Sequence, residues 1–491
     1  MPVDAKGMWL LKRLSKTVQA SMIRSAKKIT KKDPAPVLER GVYDLVAEAK
    51  SEYFTLGFSK TDIMPDDILK KKYYVAGYNA YNPAKSVLDP MSVSAVWLDD
   101  NSGHGGLVMV SVDSVGLTDY DTNLIRQRLE DFSKETGCRS INVLSTHNHA
   151  GIDTIGMWGP IPFKRRDEKY LNLVHESIIK VVKEAYANRR EGSLFYGKKE
   201  TPEIQRDTRL PHVFCKDLFR LRFVPNDGSA ETWILNYASH TESMLGRPIV
   251  SADFAHYMRE EIKEEAGVNS IYFIGAIGGL IRLKELDKDP VESTKLGGKA
   301  LAQTALSIED ERKLKPRISL IRQEYYSTAD NYALALLCVL GFVKKDRYSL
   351  GEGRIGLSVK TEMTLIKIDD LKMLLLPSEI FPELCYGGYL EADQTAEGKS
   401  PDINPKPLLE IADDENMIIF GLANDFTGYV VPPNDFFLHP EVPYVSTTKD
   451  RLGRSHYEET NSLGPHTAQI IADTFESMME TVRASENKLK V

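Results

Sequence analysis

The chain has 491 residues, of which 42% are hydrophobic, and its formal net charge at pH 7 is −7. This size and composition allow an extensive buried core, divided among roughly two to four domains if length alone decides. The mildly acidic balance excludes a general nucleic-acid-binding protein, which needs a strongly basic face.

The N-terminal segment, residues 1–47, is predicted to be a basic helical extension. Charged residues interrupt its apolar ones, so it lacks the continuous apolar core of a secretory signal. Its apolar residues recur at roughly helical spacing with lysines and arginines between them, namely Trp9, Leu10, Leu14, Val18 and Met22. Two interpretations follow. Residues 1–32 form an amphipathic helix on an anionic membrane surface, or the helix packs on its own domain or on a partner subunit.

A strand–helix–strand pattern follows in residues 105–147. The run GGLVMVSVD predicts a buried strand, DYDTNLIRQRLEDFSKETG predicts a helix that stops at Gly137, and RSINVLSTH predicts the next strand. This order is typical of a βαβ unit, whose two strands lie parallel. Ligands bind at the carboxyl ends of such strands, and His147 stands at that end.

The same alternation continues in looser form down the chain. Helices are predicted over residues 167–188 and 251–267, the second capped by Ser251 or Asp253 and stopped by Gly267. The run YALALLCVLGF, residues 332–342, is too short to span a bilayer and predicts a buried helix or an apolar surface element. Further strands are predicted at residues 193–197, 217–225, 231–240, 270–276, 371–381 and 417–429, and a surface loop at 401–407.

No clear linker or repeat divides the chain after the N-terminal extension. We therefore predict one large α/β domain over residues 48–491, with a large mixed β-sheet flanked by helices. The four cysteines form no Cys-x-x-Cys pair, which favours reduced thiols in a cytoplasmic protein, peripheral at the membrane if the N-terminal helix docks there. The four cysteines are Cys138, Cys215, Cys338 and Cys385.

Five polar residues stand at or just past the ends of apolar strands. In an extended chain residues i and i+2 share a face, so His147 and His149 are expected to point into one space. Two imidazoles and a carboxylate form a common set of catalytic zinc ligands, whereas Ca²⁺ and Mg²⁺ prefer oxygen cages. Each residue alone is more often explained by hydrogen bonding or packing, so a metal-dependent hydrolase is one interpretation among others. Besides His147 and His149, the polar residues at the strand ends are His240, Glu379 and Tyr429.

Several motifs resemble those of the neutral/alkaline ceramidases, and they occur in the same order between residues 54 and 470. NVLSTHNHAGIDT resembles THTHSGP, NYASHTESM resembles FAVHPTSM, and LPSEIF resembles PGEF. Likewise FTLGFSKTDIMP resembles GVGKADITGP, IQRDTRLP resembles NRSP, SADF resembles SGDN, LANDFTGYVVPPNDF resembles NAYAGYVTTPEEY, and HYEETNSLGPHTAQ resembles RYEAASTIYGPHT.

The resemblance implies zinc-dependent hydrolysis of an amide, which in that family splits ceramide. It places four residues on the zinc ligands: His147, His240, Glu379 and Tyr429. It makes His149 the general base towards a zinc-bound water and later the proton donor to the amine. Arg206 and Tyr457 would stabilise the oxyanion or orient the substrate.

Two departures from the family pattern bear on the substrate. The family's QSNxGDVSP loop carries an active-site serine, but FIGAIGGLIRL stands here and puts Ala276 at that position. The chain is also expected to lack the family's C-terminal immunoglobulin-like domain. Three functions follow: an amide hydrolase for an N-acyl lipid or related amphiphile, an esterase or amidase for a smaller polar substrate, and a non-catalytic lipid-binding relative. A long apolar groove would favour the first, and a closed polar pocket the second.

Overall fold

The computed structural model describes residues 5–32, 35–161, 163 and 165–488. The helices of these residues are α1 (Ala5–Lys32), α2 (Asp119–Arg128), α3 (Glu130–Thr136), α4 (Glu168–Ala187), α5 (Phe254–Ala266), α6 (Pro290–Leu306), α7 (Tyr332–Val339), α8 (Pro382–Tyr386), α9 (Leu408–Ala412) and α10 (Thr467–Lys488).

Most strands belong to two sheets. A nine-stranded sheet contains β1 (Phe54–Asp62), β3 (Ser92–Asp99), β4 (Leu107–Val112), β5 (Ser140–Ser145), β6 (Arg190–Glu200), β8 (Asp217–Pro225), β9 (Thr232–Tyr237), β11 (Asn269–Ile274) and β13 (Glu311–Lys313). A four-stranded sheet contains β14 (Ile318–Thr328), β15 (Ser358–Ile368), β16 (Leu371–Leu375) and β18 (Ile418–Phe420). Short pairs are formed by β2 (Ser86–Val87) with β10 (Ile249–Val250), β7 (Gln205–Arg206) with β12 (Arg282–Leu283), β17 (Glu379–Ile380) with β19 (Tyr429–Val430), and β20 (Thr448–Lys449) with β21 (Ser455–His456).

The large sheet is mixed, in the order β11-β9-β8-β6-β1-β3-β4-β5, with β13 beside β6. The strands β4 and β5 pair in parallel across α2 and α3, which confirms the predicted βαβ unit. A second parallel pair, β9 and β11, is connected through α5. The prediction of one continuous helix before Gly137 is wrong, because the helix breaks at Leu129 before it stops at the left-handed Gly137.

The two sheets pack face to face between layers of helices. One apolar cluster joins them and includes Phe223 and Ile271 of the large sheet and Ile366 and Phe420 of the small one. The outer face of the large sheet is covered by α4 and by α5 and α6, and the outer face of the small sheet by α10. This α/β/β/α arrangement confirms the predicted α/β class, while the single domain of residues 48–491 stays a prediction.

The helix α1 divides its predicted apolar residues between two surroundings. Met22 is buried in the cluster beneath the small sheet, and Val18 packs against that cluster. Trp9, Leu10 and Leu14 instead leave 55%, 61% and 57% of their surface exposed. One face of the helix therefore packs on the protein and another carries exposed apolar side chains.

The apolar run at residues 332–342 forms α7, a short helix next to α1. Tyr332 and Ala335 are buried, whereas Val339 is 39% exposed. Among the described helices, none is both long enough and apolar enough to cross a membrane.

Candidate metal centre

The loop after β5 brings His147 and His149 together, although not for the reason that the sequence indicates. The strand β5 ends at Ser145, and His147 has a left-handed backbone with φ of 54°. The two side chains therefore do not share the face of one extended strand. The neighbouring loop holds them instead, since His149 N donates to Thr241 O at 2.9 Å and Thr241 Oγ1 donates to Thr146 O at 2.6 Å.

Backbone carbonyls fix the tautomers of two imidazoles. His147 Nδ1 lies 2.8 Å from Val115 O, and His240 Nδ1 lies 3.0 Å from Ile281 O. A carbonyl oxygen only accepts, so each Nδ1 must carry the hydrogen. Each Nε2 of the neutral ring then presents its lone pair to the interior, which is the form that binds a metal ion.

The short strands β17 and β19 place a carboxylate and a phenol beside these rings. Glu379 and Tyr429 are directly opposite each other in this parallel pair. The Oε2 atom of Glu379 lies 3.1 Å from His147 Nε2 and 3.2 Å from His240 Nε2. The Tyr429 hydroxyl lies 3.3 Å from His240 Nε2.

These four residues fit a metal ion by the chemistry of their donor atoms. Each of the four side chains is at most 4% exposed; the four are His147, His240, Glu379 and Tyr429. With both Nδ1 hydrogens given to carbonyls, two nitrogen lone pairs face one carboxylate oxygen, and this contact needs a cation or added protons between the atoms. Nitrogen and oxygen donors of this kind are typical of a catalytic zinc site.

The charge distribution of the centre agrees with this fit. Burial by itself would raise the pKa of Glu379, but the charge and hydrogen bond of His147, together with those of His240, lower it below its ordinary value. The carboxylate is therefore ionised at neutral pH. Burial, with the charge of Glu379, raises the pKa of the Tyr429 phenol well above its ordinary value. A bound cation would oppose that rise.

A third imidazole, that of His149, points at the same space. Its Nε2 lies 2.9 Å from His147 Nε2, and ring nitrogens of these two residues and His240 all lie within 4.8 Å of one another. Burial and the charges of His147 and His240 lower the pKa of His149, so its ring is neutral. This geometry is compatible with a proton-transferring base and with an additional metal ligand.

The surroundings of His149 include residues that the sequence analysis did not single out. Glu242 Oε2 lies 3.8 Å from His149 Nδ1 and accepts a hydrogen bond of 3.0 Å from the Tyr78 hydroxyl. Arg282 lies 3.7 Å from the other oxygen of Glu242. Glu242 stands two residues after His240, and that spacing was the only sign of it in the sequence.

The centre opens into a cavity with about 990 Å³ of empty space, its mouth included. The lining contains His147, His149, Glu379 and Tyr429, together with Tyr457. Most of the other lining side chains are apolar, among them Ile155, Met157, Trp158, Leu334, Val343, Leu357 and Phe426. The helix α7 supplies part of this wall, so a largely apolar cavity lies beside the metal-type donors.

The other predicted site residues differ in position. Tyr457 lines the cavity, with its ring 6.5 Å from that of Tyr429, and burial raises its pKa to about 12. Arg206 is exposed on β7 and is not part of the lining. Ala276 is fully buried in the apolar cluster that contains Phe381, also outside the lining. The structure therefore brings Tyr457 to the centre, but not Arg206 or Ala276.

The buried arginine of the same segment is Arg209. Its guanidinium bonds to Glu458 at 2.9 Å and to Glu459 at 2.7 Å, and it also contacts Asp435. This arginine supplies the positive charge beside a second group of clustered acids and histidine, Asp435, Asp450 and His456. The Arg-x-Pro order at residues 209–211 was the feature of the sequence that could have indicated it.

Comparison with known proteins shows the fold. No protein-family model and no curated protein sequence matches the chain. A crystal structure of neutral ceramidase from Pseudomonas aeruginosa matches with a TM-score of 0.67 and 15% identity, over 89% of this chain and 75% of that one. A structure described as a ceramidase complexed with C2 matches with a TM-score of 0.66 and 14% identity, over 89% and 76%. The chain thus has the mixed α/β fold seen in neutral ceramidase.

Proposed function

We propose that this protein is a metal-dependent hydrolase that cleaves the linear amide of an N-acyl lipid or a related amphiphile. The observation that carries the proposal is the joint presence of a buried set of metal-type donors and an apolar cavity that opens from it. The likeness of the fold to neutral ceramidase structures supports the same class of chemistry.

Four side chains would hold the metal, for which we propose zinc: His147, His240, Glu379 and Tyr429. When bound at such a site, zinc lowers the pKa of water to about 7 and polarises a carbonyl group. The chain's own contribution is to place the hydrogen of each neutral ring on Nδ1, which leaves Nε2 available as a ligand atom, and to bury the centre.

His149 is proposed to move the proton in the reaction. Its neutral ring lies beside the donor atoms and can take a proton at Nε2, while Glu242 faces its Nδ1 at 3.8 Å and stabilises the resulting imidazolium. Tyr457 lines the cavity beside Tyr429, and its raised pKa keeps the hydroxyl protonated, so it can donate to the carbonyl oxygen as negative charge develops. Arg206 is exposed, and its role in stabilising the oxyanion or orienting the substrate stays a prediction.

The apolar lining favours an N-acyl amphiphile over a small polar substrate. An acyl chain buried against Leu334, Leu357 and their neighbours gains about 0.8 kcal/mol for each CH₂ group removed from water. Ceramide is one member of this class.

The thiols of the four cysteines are free, which supports the proposed cytoplasmic location.

Two measurements test the proposal. Purified protein is expected to hold about one zinc ion per chain by elemental mass spectrometry, and His147→Ala is expected to release it. Zinc-loaded protein is then screened against N-acyl lipids, N-acyl amino acids and simple esters, with release of fatty acid from the amides expected. Protein that takes up no metal would contradict both the amide hydrolase of an N-acyl amphiphile and the esterase or amidase of a smaller polar substrate. Turnover confined to esters would establish the latter.

His149→Ala separates the two compatible roles of this residue. As the base, the variant is expected to retain zinc and to lose about a hundredfold or more of its turnover. Loss of zinc together with turnover would instead make His149 a ligand, and unchanged turnover would remove it from the mechanism.

A further inference from the structure

Two polar side chains in the cavity wall carry buried atoms without a hydrogen-bond partner among the described residues. Arg347 and Ser358 both line the cavity. The Nε and Nη1 atoms of Arg347 and the Oγ atom of Ser358 are buried and have no hydrogen-bond partner among the described residues. Ser358 is only 1% exposed. Arg347 as a whole is half-buried, so part of its guanidinium keeps access to solvent, but its two buried N–H groups lose hydrogen bonds to water and gain none from the described residues, which is unfavourable.

Other cations near the cavity are compensated. Lys345, which also lines it, pairs with Asp119 at 2.9 Å and with Asp425. Arg209, behind the centre, contacts three acidic side chains. No ion pair of Arg347 is present within the part of the chain that the structure describes. Of the two cations among the described residues that line the cavity, Lys345 is therefore paired with carboxylates and Arg347 is not.

Arg347 and Ser358 belong to neighbouring backbone segments, and both side chains line the cavity. Tyr348, the residue after Arg347, exchanges both backbone hydrogen bonds with Ser358, at 2.9 and 2.8 Å. Ser358 begins β15, and the charge of Arg347 acts on Cys338 of α7, which lines the same wall. Among the described residues, no hydrogen bond or ion pair joins Arg347 or Ser358 to the histidines of the centre.

We propose that Arg347 and Ser358 form a binding site for an oxyanion of the substrate, so that the substrate is an anionic N-acyl amphiphile. This inference rests on the proposed function for the bond that is cleaved. Arginine binds carboxylate and phosphate through parallel N–H groups, and a serine hydroxyl can donate to the same oxyanion. The cavity then holds the amide at the metal-type donors, the alkyl part along α7 and the anionic group at Arg347.

A binding experiment tests the site without any turnover. Full-length protein treated with a chelator is titrated by calorimetry with lauric acid, lauryl phosphate and lauryl alcohol, so that a metal ion cannot receive the anion. One or both anions are expected to bind about ten- to a hundredfold more tightly than the alcohol. The comparison of the two anions identifies a carboxylate or a phosphate as the preferred group.

Variants assign the preference to the two residues. Arg347→Met is expected to remove the preference for the anion and to leave the affinity for the alcohol unchanged, and Ser358→Ala to reduce the preference. Arg347→Lys keeps the charge and retains part of it, which also covers the case in which Arg347→Met does not fold. Arg312→Ala, at an exposed arginine paired with Asp370, is the matched control.

The inference is overturned if wild-type protein binds anions and alcohol equally, if it binds none of the three, or if Arg347→Met leaves the preference intact. A failure of the proposed hydrolase function gives a different result. In that case no amide is cleaved by zinc-loaded protein, while the anion preference and its loss in Arg347→Met still occur.

Discussion

At the scale of the residue, the position of His149 depends on Gly77. This glycine has φ of 98°, and a Cβ atom on it would lie 2.4 Å from His149 Nδ1. A side chain there would meet the imidazole before any other group, since the three nearest atoms all belong to His149. The absence of a side chain at residue 77 thus makes room for the proposed base.

Gly77→Ala is therefore expected to displace the His149 ring and to lower turnover about a hundredfold, as loss of a general base would. Gly103→Ala is the matched control, because Gly103 has φ of 87° but no described atom within 4 Å of the position that a Cβ would take. Both variants carry the same backbone cost of about 1–2 kcal/mol. Equal turnover in the two variants, measured with zinc content confirmed, would show that the position of His149 does not matter.

The residues of the centre were more predictable from sequence than their arrangement. The HxH pair stands out, but its geometry comes from the left-handed backbone of His147 and from Thr241, which is distant in sequence. Arg347 carries no local pattern, and Glu242 is marked only by its spacing of two residues from His240. Their importance arises from what lies next to them, and one sequence alone does not contain that information.

At the scale of the element, α7 combines short length with an exposed and a cavity-facing side. Ala335 lines the cavity, whereas Val339 at the end of the same helix does not. The apolar run alone left a buried helix and a surface element as alternatives, and the structure realises both within one helix. Such a division depends on which neighbours cover each side.

Ala335→Leu is expected to shorten the space for the acyl chain. Hydrolysis of a long-chain amide falls about tenfold while a short-chain amide is spared, because only the longer chain meets the added methyl groups. Val339→Leu, a substitution outside the cavity, is expected to change neither rate. An equal loss on both substrates would place the acyl chain elsewhere.

The helix α1 offers a test of membrane contact. Its exposed Trp9, Leu10 and Leu14 lie among lysines and arginines, as in helices that bind anionic bilayers. Replacing all three with serine is expected to weaken binding to phosphatidylserine vesicles at least tenfold in a sedimentation assay, because each buried side chain contributes about 1.5–3 kcal/mol. Serine at Val37 and Val42, which are exposed outside the helix, is the control. Deleting the helix would be a poorer test, since Met22 belongs to the core.

At the scale of the whole molecule, the sequence predicts the α/β class of the fold better than it predicts how the sheets and helices pack in layers. The parallel pair β4–β5 follows from a strand, helix and strand in close succession. The packing of the four-stranded sheet on the nine-stranded one does not follow from any local pattern. Residues such as Ile366 and Phe223 are far apart in sequence and meet only in the buried core. The centre forms where these long-range contacts bring β17 and β19 to the loops after β5 and β9.

The proposed zinc-dependent hydrolysis is tested most directly by measuring, with mass spectrometry, the fatty acid released from a long-chain N-acyl lipid. Three samples are compared at equal concentration: chelated protein, the same protein after addition of one equivalent of zinc, and Glu379→Ala with zinc. We expect no release by chelated protein, full recovery on addition of zinc and no release by Glu379→Ala. Release that is equal with and without zinc, or absent in every sample, would contradict zinc-dependent hydrolysis.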